Sequence, residues 1–218
     1  MTKEIKLAEL CIIERLGSDI IGNISSHQCS EPRGNYKNFA SKVIKPKSVD
    51  EVSAVLSILN EMKVGVVPYS GGTGLVGGQM APTDNVFLMS LEKMSAVRNV
   101  SSDDNTLTVE AGLILSKVQE EAKKIDRTFP LSLASEGTCQ IGGNLATNAG
   151  GINVLRYGSA RDLCLGLEAV FADGTVYNGL TNLIKDNTGY DLRNLLIGSE
   201  GTLGVITAAT LKVFPVGE

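Results

Sequence analysis

The stretch Pro68-Tyr69-Ser70-Gly71-Gly72-Thr73-Gly74-Leu75-Val76-Gly77-Gly78 decides how this chain is read. It follows Val64 to Pro68, a short apolar run that reads as a buried strand. Gly72 to Gly77 matches G-x-G-x-x-G, the spacing of a dinucleotide-binding loop. Such a loop must open a helix whose N-terminus holds the pyrophosphate. Here Pro82, Asp84 and Asn85 follow, and Val86 to Ser90 reads as another strand, so a Rossmann fold is set aside. The loop keeps a use without the helix. Consecutive glycines can turn successive backbone N–H groups toward one point and make an anion nest, and the hydroxyls of Ser70 and Thr73 add donors. The competing reading is a tight strand-to-strand turn, but five glycines from Gly71 to Gly78 exceed what a turn needs. A phosphate or pyrophosphate cradle is expected, with Gly74 combining bare backbone and a permissive φ.

Working outward, glycine supplies 24 of 218 residues and gathers into three loops. The second runs from Ser135 to Gly151, with small residues, amides and hydroxyls and almost no charge. That composition suits packing beside a flat polar heterocycle read by backbone and amide hydrogen bonds; a Gly-rich loop with helix caps is the alternative. The third, Gly198 to Ile206, reads as a turn feeding the last strand.

Around these loops, Lys3 to Ile24 carries Ile5, Leu7, Leu10, Ile13, Leu16 and Ile20 at helical spacing and reads as one or two amphipathic helices. Gly22 to Asn38 reads as loop. Ala40 to Lys45 is a short strand stopped by Pro46. Ser48 to Glu51 fits a capping box, with Glu51 reaching back to Ser48, and Val52, Val55, Leu56, Leu59 and Met62 form the stripe of the helix that follows. Val97 to Val100 and Thr106 to Glu110 read as a hairpin, and Leu113 to Ile125 as a helix. Asp173-Gly174 joins two further strands as a hairpin turn. Leu203 to Phe214 reads as a final strand or strand pair. Mixed helices and hairpins favour an α+β fold over a doubly wound parallel sheet. The expected divisions are an N-terminal helical segment and loop over 1–38, a first lobe over 39–95 and a second over 96–218.

The net charge of -4 lowers the case for nucleic-acid binding. One histidine, His27, and four cysteines without a CxxC pair supply zinc poorly, so no metal is expected. Reduced thiols, no membrane span and a cytoplasmic location are the expectation, with any membrane association made through a partner.

The three loops, in this order and spacing, together with Leu155 to Gly158 and Lys185 to Leu192, resemble the FAD-binding half of the vanillyl-alcohol-oxidase type of flavoenzymes. They look most like the branch of glycolate oxidase D subunit, D-lactate dehydrogenase and D-2-hydroxyglutarate dehydrogenase. The resemblance runs from about Phe39 to Pro215. It implies a two-lobed α+β domain with FAD between the lobes. Pro68, Ser70, Gly71, Gly72, Thr73, Gly74, Leu75 and Gly78 would hold the pyrophosphate. Ser135, Glu136, Gly137, Thr138, Ile141, Gly142, Gly143, Asn144, Thr147, Asn148, Gly150 and Gly151 would line the flavin and ribityl region. Glu200, Gly201, Gly204, Val205 and Ile206 would contact the adenosine end.

The implied reaction is oxidation of a D-2-hydroxyacid to a 2-oxoacid, with hydride passing to the flavin and on to an unspecified acceptor. Relatives with covalent flavin place a histidine where this chain has Thr73, so non-covalent FAD is expected. Family members continue into a substrate-binding cap; its absence here, as a missing domain or a separate subunit, would leave this chain inactive alone and without a catalytic residue of its own. The alternatives are a standalone flavin-binding module and an enolpyruvyl-reductase type of flavoenzyme. His27 is expected at the surface. Lys185 and Arg156 are expected to play structural roles, while Tyr157 and Tyr190 could stack near the flavin or fill core.

Overall fold

The computed structural model describes residues 2–216. It divides into two compact units: residues up to Lys93 together with Val170–Val176, and Met94–Ala169 together with the residues from Tyr177 onward. The fold is α+β.

The first unit opens with helix α1 (Lys3–Leu16), capped by the Thr2 side chain. Its buried face is Ile5, Ala8 and Ile12, while Leu7 and Leu10 are exposed. The expected stripe is therefore rotated: with large apolar residues on two sides of the helix, packing against a neighbour selects the face. A 3-10 turn (Ser18–Ile20) leads to β1 (Ile21–Gly22), where continued helix was expected. Strand β2 shrinks to Val43–Ile44.

Helix α2 (Val49–Glu61) starts where expected, with Ser48 Oγ accepting from the Glu51 N–H. The Glu51 carboxylate reaches past Ser48, however, and accepts from the Lys47 N–H at 2.7 Å. The buried residues Val52, Val55, Leu56, Ile58 and Leu59 make the inner face of α2.

Strands β3 (Gly65–Tyr69) and β4 (Val86–Ser90) complete a sheet in the order β1-β2-β4-β3. β4 runs parallel to both β2 and β3. Pro68, which has no N–H to donate, sits in β3 at the sheet edge, where a strand tolerates it.

The second unit is built on strands β5 (Val97–Ser101) and β6 (Thr106–Glu110), an antiparallel hairpin. Helix α3 (Leu115–Lys123) follows, burying Leu115, Val118 and Ala122; it ends before Ile125. Then come β7 (Arg127–Thr128), α4 (Ile141–Ala146) and α5 (Val154–Tyr157). Strands β8 (Cys164–Val170) and β9 (Val176–Gly179) flank the Asp173-Gly174 turn, where the Phe171 N–H donates to Thr175 O at 2.9 Å.

Helix α6 (Leu192–Leu196) precedes β10 (Val205–Lys212) and β11 (Phe214–Pro215). The final run is thus two strands, and β10 starts at Val205, so the last two residues of the third glycine segment are already strand. The five-stranded sheet has the order β5-β6-β10-β8-β9, and every residue of β8 is buried. Continuous burial rather than alternation marks β8 and β10 as strands packed on both faces.

Candidate functional site

In the first unit, loop 70–85 joins β3 to β4. Because these strands are parallel, the loop must travel from the end of one to the start of the other. It is a crossover, which removes the tight-turn reading, and it contains no helix. Gly72 and Gly77 have φ of +70° and +80°, a region that favours glycine. Gly74 lies outside that region, so it does not need glycine for its φ.

Gln79 ties the loop together: its Nε2 donates to Gly72 O at 3.0 Å and Gly74 O at 3.1 Å, and its Oε1 accepts from the Gly74 N–H at 3.4 Å. Sequence reasoning passed over Gln79 because nothing local distinguishes a clamp from a surface amide. The hydroxyl of buried Tyr69 donates to His27 O at 3.2 Å. Burial first, and Glu92 second, push that hydroxyl pKa up, so it stays a neutral donor. Ser70, Gly71 and Thr73 are half-buried, and Leu75 and Gly78 are exposed. His27 itself is exposed, its ring beside Ser25 Oγ.

In the second unit the second and third glycine loops meet at the end of α4. The Gly198 N–H donates to Leu145 O at 3.1 Å and the Glu200 N–H to Ala146 O at 2.9 Å. Arg161 knits the same corner: its backbone N–H donates to Asn148 Oδ1 at 3.0 Å and its guanidinium to Ile197 O at 2.7 Å and to Asn194 O. Arg161 was not among the expected residues. The partners of its guanidinium are main-chain carbonyls far along the chain, which no spacing rule can anticipate.

Several expected contacts are already taken within the protein. The N–H groups of Ile141 and Gly142 donate to Leu113 O at 3.0 Å and Ala111 O at 2.7 Å. Thr147 Oγ1 donates to Gly143 O, and Thr138 Oγ1 to Ser135 O. Glu136 accepts from Gln119 Nε2 at 3.4 Å. Gly137 is exposed, and Gly150 and Gly151 are half-buried. Glu200, at φ +53°, is exposed; Gly201 and Gly204 are half-buried, while Val205 and Ile206 are buried in β10. Tyr157 packs on Phe214 with ring centroids 4.9 Å apart and carries Arg156 over its face, whereas Tyr190 is 95% exposed and fills no core.

Residues 40–179 match the family described as FAD binding domain. The chain belongs to this FAD-binding family. It is 47% identical over 174 residues to the probable D-2-hydroxyglutarate dehydrogenase, mitochondrial, of Oryza sativa subsp. indica, covering 80% of this chain and 31% of that protein. It is 47% identical over 169 residues to the mitochondrial D-2-hydroxyglutarate dehydrogenase of Danio rerio, covering 78% and 32%. It is 45% identical over 168 residues to the D-2-hydroxyglutarate dehydrogenase of Xanthomonas citri pv. viticola, covering 77% and 35%. The chain thus spans about a third of the length of these relatives. Among solved structures, alkyldihydroxyacetonephosphate synthase superposes with a TM-score of 0.81 at 22% identity, over 96% of this chain and 41% of that one, which shows a shared fold.

The residues of the FAD-binding domain suit FAD chemically. Between Ser70 and Thr83 there is no charged side chain. A diphosphate placed there would be met by backbone N–H dipoles and hydroxyls without repulsion from a carboxylate. In the second loop, Asn144 is 6% exposed and its Oδ1 is buried without a hydrogen-bond partner. A buried carbonyl oxygen left unpaired costs about 1–3 kcal/mol, so a donor such as the flavin ring N–H or a ribityl hydroxyl would relieve it. Among the described residues no group of three or more His, Cys, Asp and Glu could hold a metal, and no helix is long and apolar enough to cross a membrane.

Proposed function

We propose that this chain is the FAD-holding part of an enzyme that oxidises a D-2-hydroxyacid of the 2-hydroxyglutarate class to its 2-oxoacid. The observation that carries the substrate class is the 47% identity, across four-fifths of the chain, to D-2-hydroxyglutarate dehydrogenases. Bound FAD would supply the redox chemistry as the hydride acceptor. The chain's own part is to hold and orient the cofactor. Loop 70–85 takes the diphosphate through its N–H groups and the hydroxyls of Ser70 and Thr73. Asn144 and the amides around it take the flavin side, and the turn 198–204 takes the adenosine end.

The attachment is non-covalent, since Thr73 offers no ring nitrogen for a bond to the flavin. The group that binds the substrate carboxylate and the base that removes the hydroxyl proton come from the part of the relatives that this chain does not match. A cytoplasmic site of action belongs to the same reading; the Xanthomonas relative is named without a compartment, the rice and zebrafish relatives as mitochondrial.

The test is an FAD titration of the purified chain followed by its visible spectrum, then acid precipitation. A shifted flavin spectrum with all flavin released into the supernatant is expected. A folded chain that leaves the spectrum unchanged would overturn FAD binding, and yellow precipitate would overturn the non-covalent state. With an artificial acceptor, no turnover of D-2-hydroxyglutarate, D-lactate or glycolate is expected from the 218-residue chain alone.

A further inference from the structure

The segment 25–39 lies before the family-matched residues and reads from sequence as patternless loop, yet it is tightly built. Glu31 is 1% exposed, and its carboxylate fills a turn. One oxygen accepts from the Arg33 N–H at 2.6 Å; the other accepts from the N–H groups of Asn35 and Tyr36. Glu31 and Tyr36 also pair through the backbone, Glu31 N–H to Tyr36 O at 3.2 Å. The turn delivers the Tyr36 ring onto loop 70–85. A Cβ on Gly77 would stand 2.9 Å from Tyr36 Cγ, so the ring lies flush against that glycine. Beyond the ring, Asn38 clamps the segment to the end of the loop, its Oδ1 accepting from the Ala81 N–H at 3.2 Å and its Nδ2 donating to Gln28 O at 2.9 Å. The Phe39 N–H donates to Ala81 O at 3.0 Å.

We propose that Tyr36, held by Glu31, is a positioning residue for the diphosphate of the cofactor: its ring packs on Gly77 and keeps the glycine loop in its binding shape. The inference rests on the reading of loop 70–85 as the diphosphate cradle and assigns to it a wall that the family match does not include. Gly77 sits at φ +80°, where glycine has wide freedom, so a free loop would sample many shapes. A rigid aromatic face removes that freedom before the cofactor arrives, and pre-organisation lowers the cost of binding. The ring, not its hydroxyl, makes the contact, so phenylalanine should serve.

The experiment is FAD titration of the full chain and of Tyr36→Phe, Tyr36→Ala and Glu31→Gln, each checked for folding by circular dichroism. Tyr36→Phe is expected to bind within about twofold of the parent, and Tyr36→Ala at least about fivefold more weakly with an unchanged spectrum of the protein. Glu31→Gln keeps one acceptor oxygen but turns an NH₂ toward the Arg33 N–H; it is expected to weaken FAD at least about threefold. A folded Tyr36→Ala that binds like the parent overturns the proposal and leaves FAD binding intact. Equal losses in Tyr36→Phe and Tyr36→Ala overturn the ring contact. Failure of both Tyr36→Ala and Glu31→Gln to fold makes the segment part of the fold rather than of the cradle and also overturns it. A folded parent that does not bind FAD removes both this proposal and the reading beneath it.

Discussion

The Tyr69 hydroxyl stands where a side chain on residue 72 would begin: an ideal Cβ on Gly72 would overlap it. Gly72 also holds φ +70°. Gly72→Ala therefore meets a left-handed backbone, which costs about 1–2 kcal/mol, and must displace a buried hydroxyl. FAD affinity is expected to fall at least about tenfold, equivalent to about 1.4 kcal/mol. Adding Tyr69→Phe removes the worst of the overlap, leaving the ring Cζ 3.0 Å from the new Cβ, and should restore part of the affinity, although the bond to His27 O is lost. FAD titrations of the single and double variants, with urea unfolding beside them, read both effects. A double variant no better than Gly72→Ala rules out the overlap as the cause.

Thr73→Val keeps the shape of the side chain and deletes one hydroxyl. If that hydroxyl donates to a phosphate, its loss is worth about 1.5–3 kcal/mol. The expected result is FAD affinity at least about tenfold weaker with an unchanged unfolding midpoint. Equal affinity in a folded variant would take Thr73 out of the cradle.

Arg98 joins Glu110 at 3.2 Å and Glu168 at 3.1 Å, and Thr207 Oγ1 donates to the other oxygen of Glu168 at 2.8 Å. Burial works against the guanidinium charge, but Glu168 and Glu110 outweigh it and hold its pKa above the usual arginine value. Arg98→Met leaves Glu168, 5% exposed, without its cation. Removing one partner of a buried pair costs about 3–5 kcal/mol. Because Arg98 is itself partly exposed, a loss of about 2–3 kcal/mol is expected, measured by urea unfolding. A loss below about 0.5 kcal/mol would show that water replaces the arginine.

The four cysteines are free, and they differ in access. Cys29 is exposed, while Cys139 and Cys164 are buried. Burial pushes the Cys164 thiol up to about 12. Near neutral pH almost none of it is thiolate, the reactive form. A chromogenic disulfide reagent is expected to label Cys29 first and to reach Cys164 only on unfolding, with mass spectrometry identifying the sites. Labelling of Cys164 at the rate of Cys29 would contradict the packing around β8.

The Asp162 carboxyl is held below the usual carboxylate range chiefly by the backbone N–H of Ser159, 2.8 Å away, and then by its hydroxyl. A depressed folded-state pKa contributes stability above the unfolded value of about 3.9 and loses it as pH falls through the folded value. Asp162→Asn should thus be less stable than the parent at about pH 7, and the two should converge below about pH 3. Thermal melts across that range give the comparison. A gap that persists at the acid end would mean that the ionised form is not the source of the stabilisation.

Much of the fold could be read from local chemistry. Ser48 caps α2 because its hydroxyl satisfies an N–H three residues away. Asp173-Gly174 turns the chain because the residues before and after it pair at once. The absence of a helix after Gly78 followed from Pro82 and the β-type run beginning at Val86, and with it the rejection of a Rossmann loop. The three glycine loops and their family likeness were also visible, since composition and order survive without coordinates.

Tertiary structure alone decided the rest, because it depends on which distant residues become neighbours. Leu7 and Leu10 have the same hydropathy class as Ile5 and Ile12, and only packing chose which pair to bury. The parallel pairing of β3 with β4 made their connection a crossover and removed the competing tight-turn reading. Gln79, Arg161 and Tyr36 act through main-chain carbonyls or through a glycine face, partners that present no side chain to be recognised in a sequence. Capping, turn formation and helical period act across a few residues, so they are written locally; clamps and buried faces arise when separated segments exclude water together.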